Sequence, residues 1–223
     1  MRTEIAMVLD RSGSMEPIAE DTIGGVNKFL ADQRALPDPC TVTLVQFDHE
    51  YDVVYNAVPV GRVIPLTSVT YQPRGSTALL DALGRTIDTL GQRLSVMAMG
   101  DRPDKVIVVI VTDGQENASH EVTREQVFNK ITHQRDVYKW EFVFLGANQD
   151  AIAVAATYAI PHTNTMTYAA SSAGTKAVYD VMADKVSSFR STGNFTAFTA
   201  QERAVAMTPD TTTPTTPKDA TNG

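Results

Sequence analysis

The sequence predicts an α/β fold: a doubly wound, mainly parallel central sheet flanked by helices on both faces, with one antiparallel edge strand. Three observations carry this. Apolar runs of strand length alternate along the chain with longer segments whose apolar residues recur at helical spacing. "KVIVVIVTDG" (105–114) is a nearly continuous aliphatic run, as expected of a central parallel strand buried on both faces. "TVTLVQF" (41–47) is β-branched and alternating, and 51–58 follows closely as its hairpin partner.

The elements follow in order. Residues 5–9 form a short buried strand that stops at Asp10. Residues 21–36 read as a helix, with Ile23, Val26, Phe29 and Leu30 at helical spacing, Asp21 as its N-cap and Pro37-Asp38-Pro39 as its stop. After the hairpin comes a short extended piece at 67–71. A helix then opens after Gly75-Ser76-Thr77, with Leu79, Leu83, Ile87, Leu90 and Leu94 in one stripe. The aliphatic strand ends at Asp113, and Thr123-Arg124-Glu125-Gln126 matches a capping box opening a helix to about residue 135. Residues 140–145 make another buried strand, 151–158 a short helix and 162–166 an edge strand. The last expected helix is 173–189, with Ala177, Val181 and Val186 inward. From residue 208, "TPDTTTPTTPKDATNG" has no large apolar residue, so it cannot bury enough surface to offset its ordering entropy. The expected organisation is one domain over 1–190, a C-terminal extension over 191–207 and a Thr/Pro-rich flexible tail over 208–223.

At 223 residues and 43% hydrophobic, the chain can bury a full core. A net charge of −7 with no Lys/Arg-rich block speaks against a nucleic-acid partner, since such binders present a basic stripe. The longest aliphatic run, 106–111, is too short to span a bilayer. Met1-Arg2-Thr3-Glu4 leads directly into a strand-like run, so export by a cleaved N-terminal signal is not expected. The expectation is a soluble protein without membrane contact, placed in the cytoplasm or in a phage virion. The lone Cys40 excludes an internal disulfide framework and fits a small buried apolar residue.

In open α/β sheets, ligands bind beyond the carboxyl ends of the strands, and three polar clusters fall there. "MVLDRSGSM" (7–15) ends its strand at Asp10 and places Ser12 and Ser14 at alternate positions after it. Thr77 opens a helix after a Gly-containing turn, and Asp113 ends the aliphatic strand. Each cluster alone also suits a plain turn. Together they offer two carboxylates and three hydroxyls, an all-oxygen set suited to hard cations such as Mg²⁺ or Mn²⁺. His49, His120, His133 and His162 are scattered singly, so no soft-metal cluster exists. Arg11, Glu16, Arg74, Glu116 and Asn117 lie in the same loops, either as a rim around the metal or as solvated charges. Asn148 or Asp150 is expected to cap the helix that follows them.

As a set these pieces resemble the metal-ion-dependent adhesion site of von Willebrand factor A domains. That family's pattern is Asp-x-Ser-x-Ser, then a Thr, then an Asp. "DRSGS", the "ST" heading the leucine-striped helix and the "TDG" after "VIVVIV" match it in order and residue type. The resemblance covers about residues 3–190. It implies that Asp10, Ser12, Ser14, Thr77 and Asp113 hold Mg²⁺ (or Mn²⁺ or Ca²⁺). It also implies that a protein partner supplies a Glu or Asp to the metal, and that occupancy is coupled to movement of the last helix. "REQVFNKITHQRDVYKWEFVFLGANQDA" is similar to a recurring C-terminal half of compact, single-domain bacterial and phage A-type proteins.

The function that follows is a metal-dependent protein–protein interaction module and not an enzyme. A metal-dependent phosphatase or nuclease is disfavoured because no His or Lys stands in these motifs as general base. Ser12 also stands where an aspartate-nucleophile phosphatase needs a second Asp. A dinucleotide-dependent oxidoreductase lacks its G-x-G-x-x-G after the first strand. The remaining alternative is a structural or decoration component of a larger assembly such as a phage particle, in contact with its other chains.

Overall fold

The computed structural model describes residues 1–210 and holds one six-stranded sheet in the order β3-β2-β1-β4-β5-β6. β1 (Thr3–Asp10) pairs in parallel with β2 (Cys40–Phe47) on one side and β4 (Lys105–Thr112) on the other. β5 (Glu141–Ala147) and β6 (Thr165–Tyr168) continue the parallel half, while β3 (Tyr51–Pro59) closes the other edge antiparallel to β2. This is the expected class, with the expected antiparallel edge. β1 and β4 are buried along their whole length, which explains why both read as unbroken apolar runs.

Successive strand residues face opposite layers. Ile5, Met7 and Leu9 of β1, with Ile107, Val109 and Val111 of β4, pack against α1 (Ala19–Arg34) and α5 (Ser172–Thr192). Ala6, Val8, Val108 and Ile110 pack against α2 (Leu79–Val96), α3 (Arg124–Tyr138) and α4 (Ala151–Ala156). The connection leaving β1 therefore lies on one face and the connection entering β4 on the other. Their carboxyl ends flank the crevice that an open sheet provides where its winding reverses.

Four expectations are corrected. α1 begins at Ala19, because a 3₁₀ turn, Gly13–Ile18, with Pro17 inside it feeds directly into the helix. Asp21 is thus no cap, and its carboxylate instead accepts a hydrogen bond from Ser172 Oγ at 2.6 Å, tying α1 to α5. Residues 67–71 are a turn: Thr67 N donates to Thr70 Oγ1 (2.8 Å) and Tyr71 N to Thr67 O (2.9 Å), local bonds that compete with a strand ladder. The edge strand is shifted to Thr165–Tyr168 by a 3₁₀ turn, His162–Asn164. Finally, α5 is not the last helix. Its core face runs through Val178, Met182, Val186 and Phe189, with Val181 half-buried at the margin.

α6 (Ala200–Ala206) follows, opened by a Thr199–Glu202 capping box, and is too short for its periodicity to be read from sequence. Ala169 N donates to Ala206 O (2.9 Å) and Lys185 Nζ pairs with Glu202 Oε1 (3.0 Å), so the segment after α5 packs back on the sheet edge. Most of the expected tail, 211–223, lies outside the described residues. Thr208 O accepts from Ser171 Oγ at 2.8 Å. No helix among the described residues is long and apolar enough to cross a membrane.

α1 and α5 touch at Gly25, where a Cβ would stand 2.2 Å from the Tyr179 ring, whereas Gly24 has no such neighbour within 4 Å. Gly25→Ala is expected to lower stability by about 1–3 kcal/mol through overpacking. Gly24→Ala should be neutral or stabilising by up to about 1 kcal/mol. Urea denaturation of both variants checks this, and equal midpoints would contradict it.

Candidate metal centre

Asp10 is the last residue of β1, paired in register with Phe47, and its side chain is fully buried. Its Oδ1 accepts from Ser12 N (2.7 Å), an Asx-type turn that swings the chain off the sheet. Its Oδ2 accepts from Thr112 Oγ1 (2.5 Å), and its main-chain O accepts from Tyr71 OH (2.7 Å). The turn brings Ser12 Oγ within 3.2 Å of Ser14 Oγ, and Ser14 Oγ donates to Asp113 Oδ1 at 2.7 Å.

Thr77 is tied in from the third loop. Thr77 N donates to Asn117 Oδ1 (2.9 Å), while Asn117 N donates to Thr77 O (3.0 Å). A Cβ on Gly114 would stand 2.7 Å from Thr77 Oγ1 and 3.4 Å from Ser14 Oγ, so both hydroxyls pack closely on this glycine and an alanine would clash. The structure thus gathers all five sequence-predicted residues around one pit. Asp10, Ser12 and Thr77 form its buried floor, Asp113 is half-buried, and Ser14 is exposed at the mouth.

The electrostatics of the pit favour a cation. Burial pushes the Asp10 carboxyl up to about 6, outweighing the hydrogen bonds from Thr112 and Ser12, and the neighbouring Asp113 adds to the rise. Burial also raises Asp113, against the Ser14 hydrogen bond. The partners of both carboxylates among the described residues are hydroxyls and a backbone N–H, which leave the negative charges uncompensated. Oxygen donors of this kind suit a hard divalent ion. Among the described residues no group of three or more His, Cys, Asp or Glu side chains is arranged to hold a metal. The cluster around Asp10 instead combines two carboxylates with three hydroxyls.

The flanking residues have structural duties that the sequence did not disclose. Glu116 accepts from Leu80 N, Ala118 N and Ser119 N at 2.9, 3.0 and 2.7 Å, so it caps the start of α2, whose own N-cap, Ala78, has no side-chain bond. Asn117 is the Thr77 clasp, and Arg11 and Arg74 are drawn into ion pairs with Asp48. Glu16 is exposed. Asp150 caps α4 as expected, accepting from Ala153 N, while Asn148 Oδ1 accepts from Ala170 N. Cys40 is buried, and burial pushes its thiol up to about 11, away from nucleophilic chemistry. Sequence reasoning missed Thr112, Tyr71 and Asp48. The first sits beside Asp113 in "VTDG", whereas no local pattern marks the other two.

With Asp10 raised from 3.8 to about 6, its stabilising contribution is complete below pH 3.8 and lost as pH rises through about 6. In EDTA, the wild type should lose on the order of 3 kcal/mol relative to Asp10→Asn between pH 4 and pH 7. Urea midpoints across that range measure it. Parallel profiles for the two proteins would contradict the buried, uncompensated charge.

No family model and no curated protein matches the chain in sequence. Solved structures do match in fold. The chain is similar to proximal thread matrix protein 1 from the mussel byssus, in a form with a zinc-occupied MIDAS motif, at 17% identity and TM-score 0.52. That match covers 85% of this chain and 44% of that one. It is also similar to the pilus adhesin SpaC from Lactobacillus rhamnosus GG in its open conformation, at 15% identity and TM-score 0.63, covering 83% of this chain and 30% of that one. The vWF domain of the type V pili tip protein Mfa5 from Porphyromonas gingivalis matches at 10% identity and TM-score 0.60, covering 83% of this chain and 95% of that one. These likenesses show the fold, that of a von Willebrand factor A-type domain. The chain spans less than half the length of the mussel protein and of SpaC.

Proposed function

We propose that the protein is a metal-dependent protein-interaction module whose pit holds Mg²⁺, with Mn²⁺ or Ca²⁺ as substitutes. In this reading Asp10, Ser12, Ser14, Thr77 and Asp113 hold the ion, and an acidic side chain of a partner protein completes its coordination. The observation that carries it is the convergence of two uncompensated carboxylates and three hydroxyls in one cluster that runs from buried Asp10 to exposed Ser14. The zinc-occupied MIDAS of the mussel protein and the adhesins among the solved structures of this fold add support.

The residue chemistry explains why such a site would bind and not catalyse. Hydroxyls fix geometry without adding negative charge, so two carboxylates at most neutralise a divalent ion. Bound there, the metal would supply a positive centre for an outside carboxylate, a charge-assisted contact stronger than a neutral hydrogen bond. Asp10 and Thr112 hold the floor rigid, while exposed Ser14 and half-buried Asp113 leave the mouth accessible.

Two measurements test the proposal. Calorimetric titration with Mg²⁺ at pH 8 and pH 5 should show affinity about tenfold weaker at pH 5, because a proton competes for Asp10. No heat of binding at either pH would remove the metal. Pull-downs in Mg²⁺ and in EDTA, with wild type and Asp113→Ala, should recover a partner from the wild type in Mg²⁺ alone. Equal recovery in all arms would contradict metal-dependent recruitment.

A further inference from the structure

Asp48 follows the end of β2 and is fully buried, yet its side chain belongs to no ligand set. One carboxylate oxygen, Oδ2, accepts from Arg11 Nε (3.0 Å) and from Arg74 Nε (2.8 Å). The other, Oδ1, accepts from Glu50 N at 2.6 Å. Its main-chain O accepts from Ala78 N at 2.8 Å. Arg11 lies between Asp10 and Ser12, Arg74 lies three residues before Thr77, and Ala78 follows Thr77. Two further bonds complete the junction: Arg11 N donates to Phe47 O (2.8 Å) and Arg74 N to Arg11 O (2.7 Å).

The two guanidiniums are also a hazard for a cation site, since both are carried on the loops that build the pit. Asp48 neutralises them together with Asp52, 2.5 Å from Arg11 Nη2, and with Glu50, which pairs with Arg74. Three carboxylates thus meet two guanidiniums, and no positive excess is left beside the pit. Gly75 shows how tightly the junction is closed: it has a left-handed φ of +66°, and a Cβ there would stand 2.2 Å from His49 Nδ1.

We infer that Asp48 is the positioning residue of the metal site. It sets the register between the loop carrying Asp10, Ser12 and Ser14 and the loop carrying Thr77, and it cancels the guanidinium charge that those two loops carry. The inference rests on the metal-binding reading above, and its test separates the two. Mn²⁺ is titrated into the purified full chain, with free Mn²⁺ followed by electron paramagnetic resonance and thermal midpoints recorded alongside. Five proteins are compared: wild type, Asp48→Asn, Arg74→Gln, the double variant Asp48→Asn/Arg74→Gln, and Gln33→Ala. Gln33 is a buried residue of α1 bonded to Ala183 O and Ser187 Oγ, away from the pit.

Asp48→Asn should weaken Mn²⁺ binding by about 10- to 100-fold, the range for partners that orient metal ligands. Arg74→Gln should weaken it less, and the double variant should be no worse than Asp48→Asn alone, because the pair acts as a unit. Gln33→Ala should lower the thermal midpoint while leaving Mn²⁺ affinity unchanged, a split that a merely structural role for Asp48 would not produce. Wild-type affinity in Asp48→Asn overturns the inference and leaves the metal site standing. Failure of the wild type to bind Mn²⁺ overturns both. Should Asp48→Asn fail to fold, Asp48→Glu decides, since it keeps the charge but displaces the carboxylate from both guanidiniums, and wild-type affinity there overturns the inference.

Discussion

Asp10 ends β1 and Asp113 directly follows the neighbouring parallel strand β4, where the sheet reverses its winding, and the fold buries the first carboxylate fully and the second by half with only hydroxyl and N–H partners. Burying charge without a counter-charge is costly, and proteins tolerate it where the charge has a use. The rest of the architecture follows from keeping these two groups in place. β1 is paired on both sides as far as Leu9, and Asp10 itself stays in register with Phe47 of β2. Thr112, the last residue of β4, fixes one of its oxygens.

The pit is assembled from three loops, none of which would hold its shape alone. Loops lacking their own secondary structure must satisfy buried polar backbone through side chains, and here the ties run between loops. Asn117 clasps Thr77 through both its backbone N–H and its C=O, and Glu116 caps the helix that Thr77 introduces. Asp81 returns the tie by accepting from the backbone of His120, Glu121 and Val122. Asp48 joins the remaining pair of loops. A cluster built on loops and held to a fixed geometry needs this kind of support.

How much of this was legible follows from the range over which each signal acts. The sheet was legible because burial on both faces leaves an unbroken aliphatic run, as in 106–111, and the helices because Leu79 to Leu94 repeat within one element. The five pit residues were legible as residue types in a fixed order. The ties were not. The Asp48–Arg11 and Asp48–Arg74 pairs span 37 and 26 residues, and Asn117–Thr77 spans 40, distances at which no local pattern operates. Short elements failed for the opposite reason. Residues 67–71 carry β-branched types, but two threonine hydroxyls bonding their own backbone decide the conformation. α6 has seven residues, fewer than two full helical repeats.

The claim that the pit is a metal site meets its most direct test in the anomalous scattering of crystals grown with Mn²⁺. The account predicts one strong peak about 2 Å from oxygens of Ser12 and Ser14, with Asp10, Thr77 and Asp113 disposed around it. A map at high Mn²⁺ concentration with no peak in the pit, or with its peak elsewhere on the protein, would contradict it.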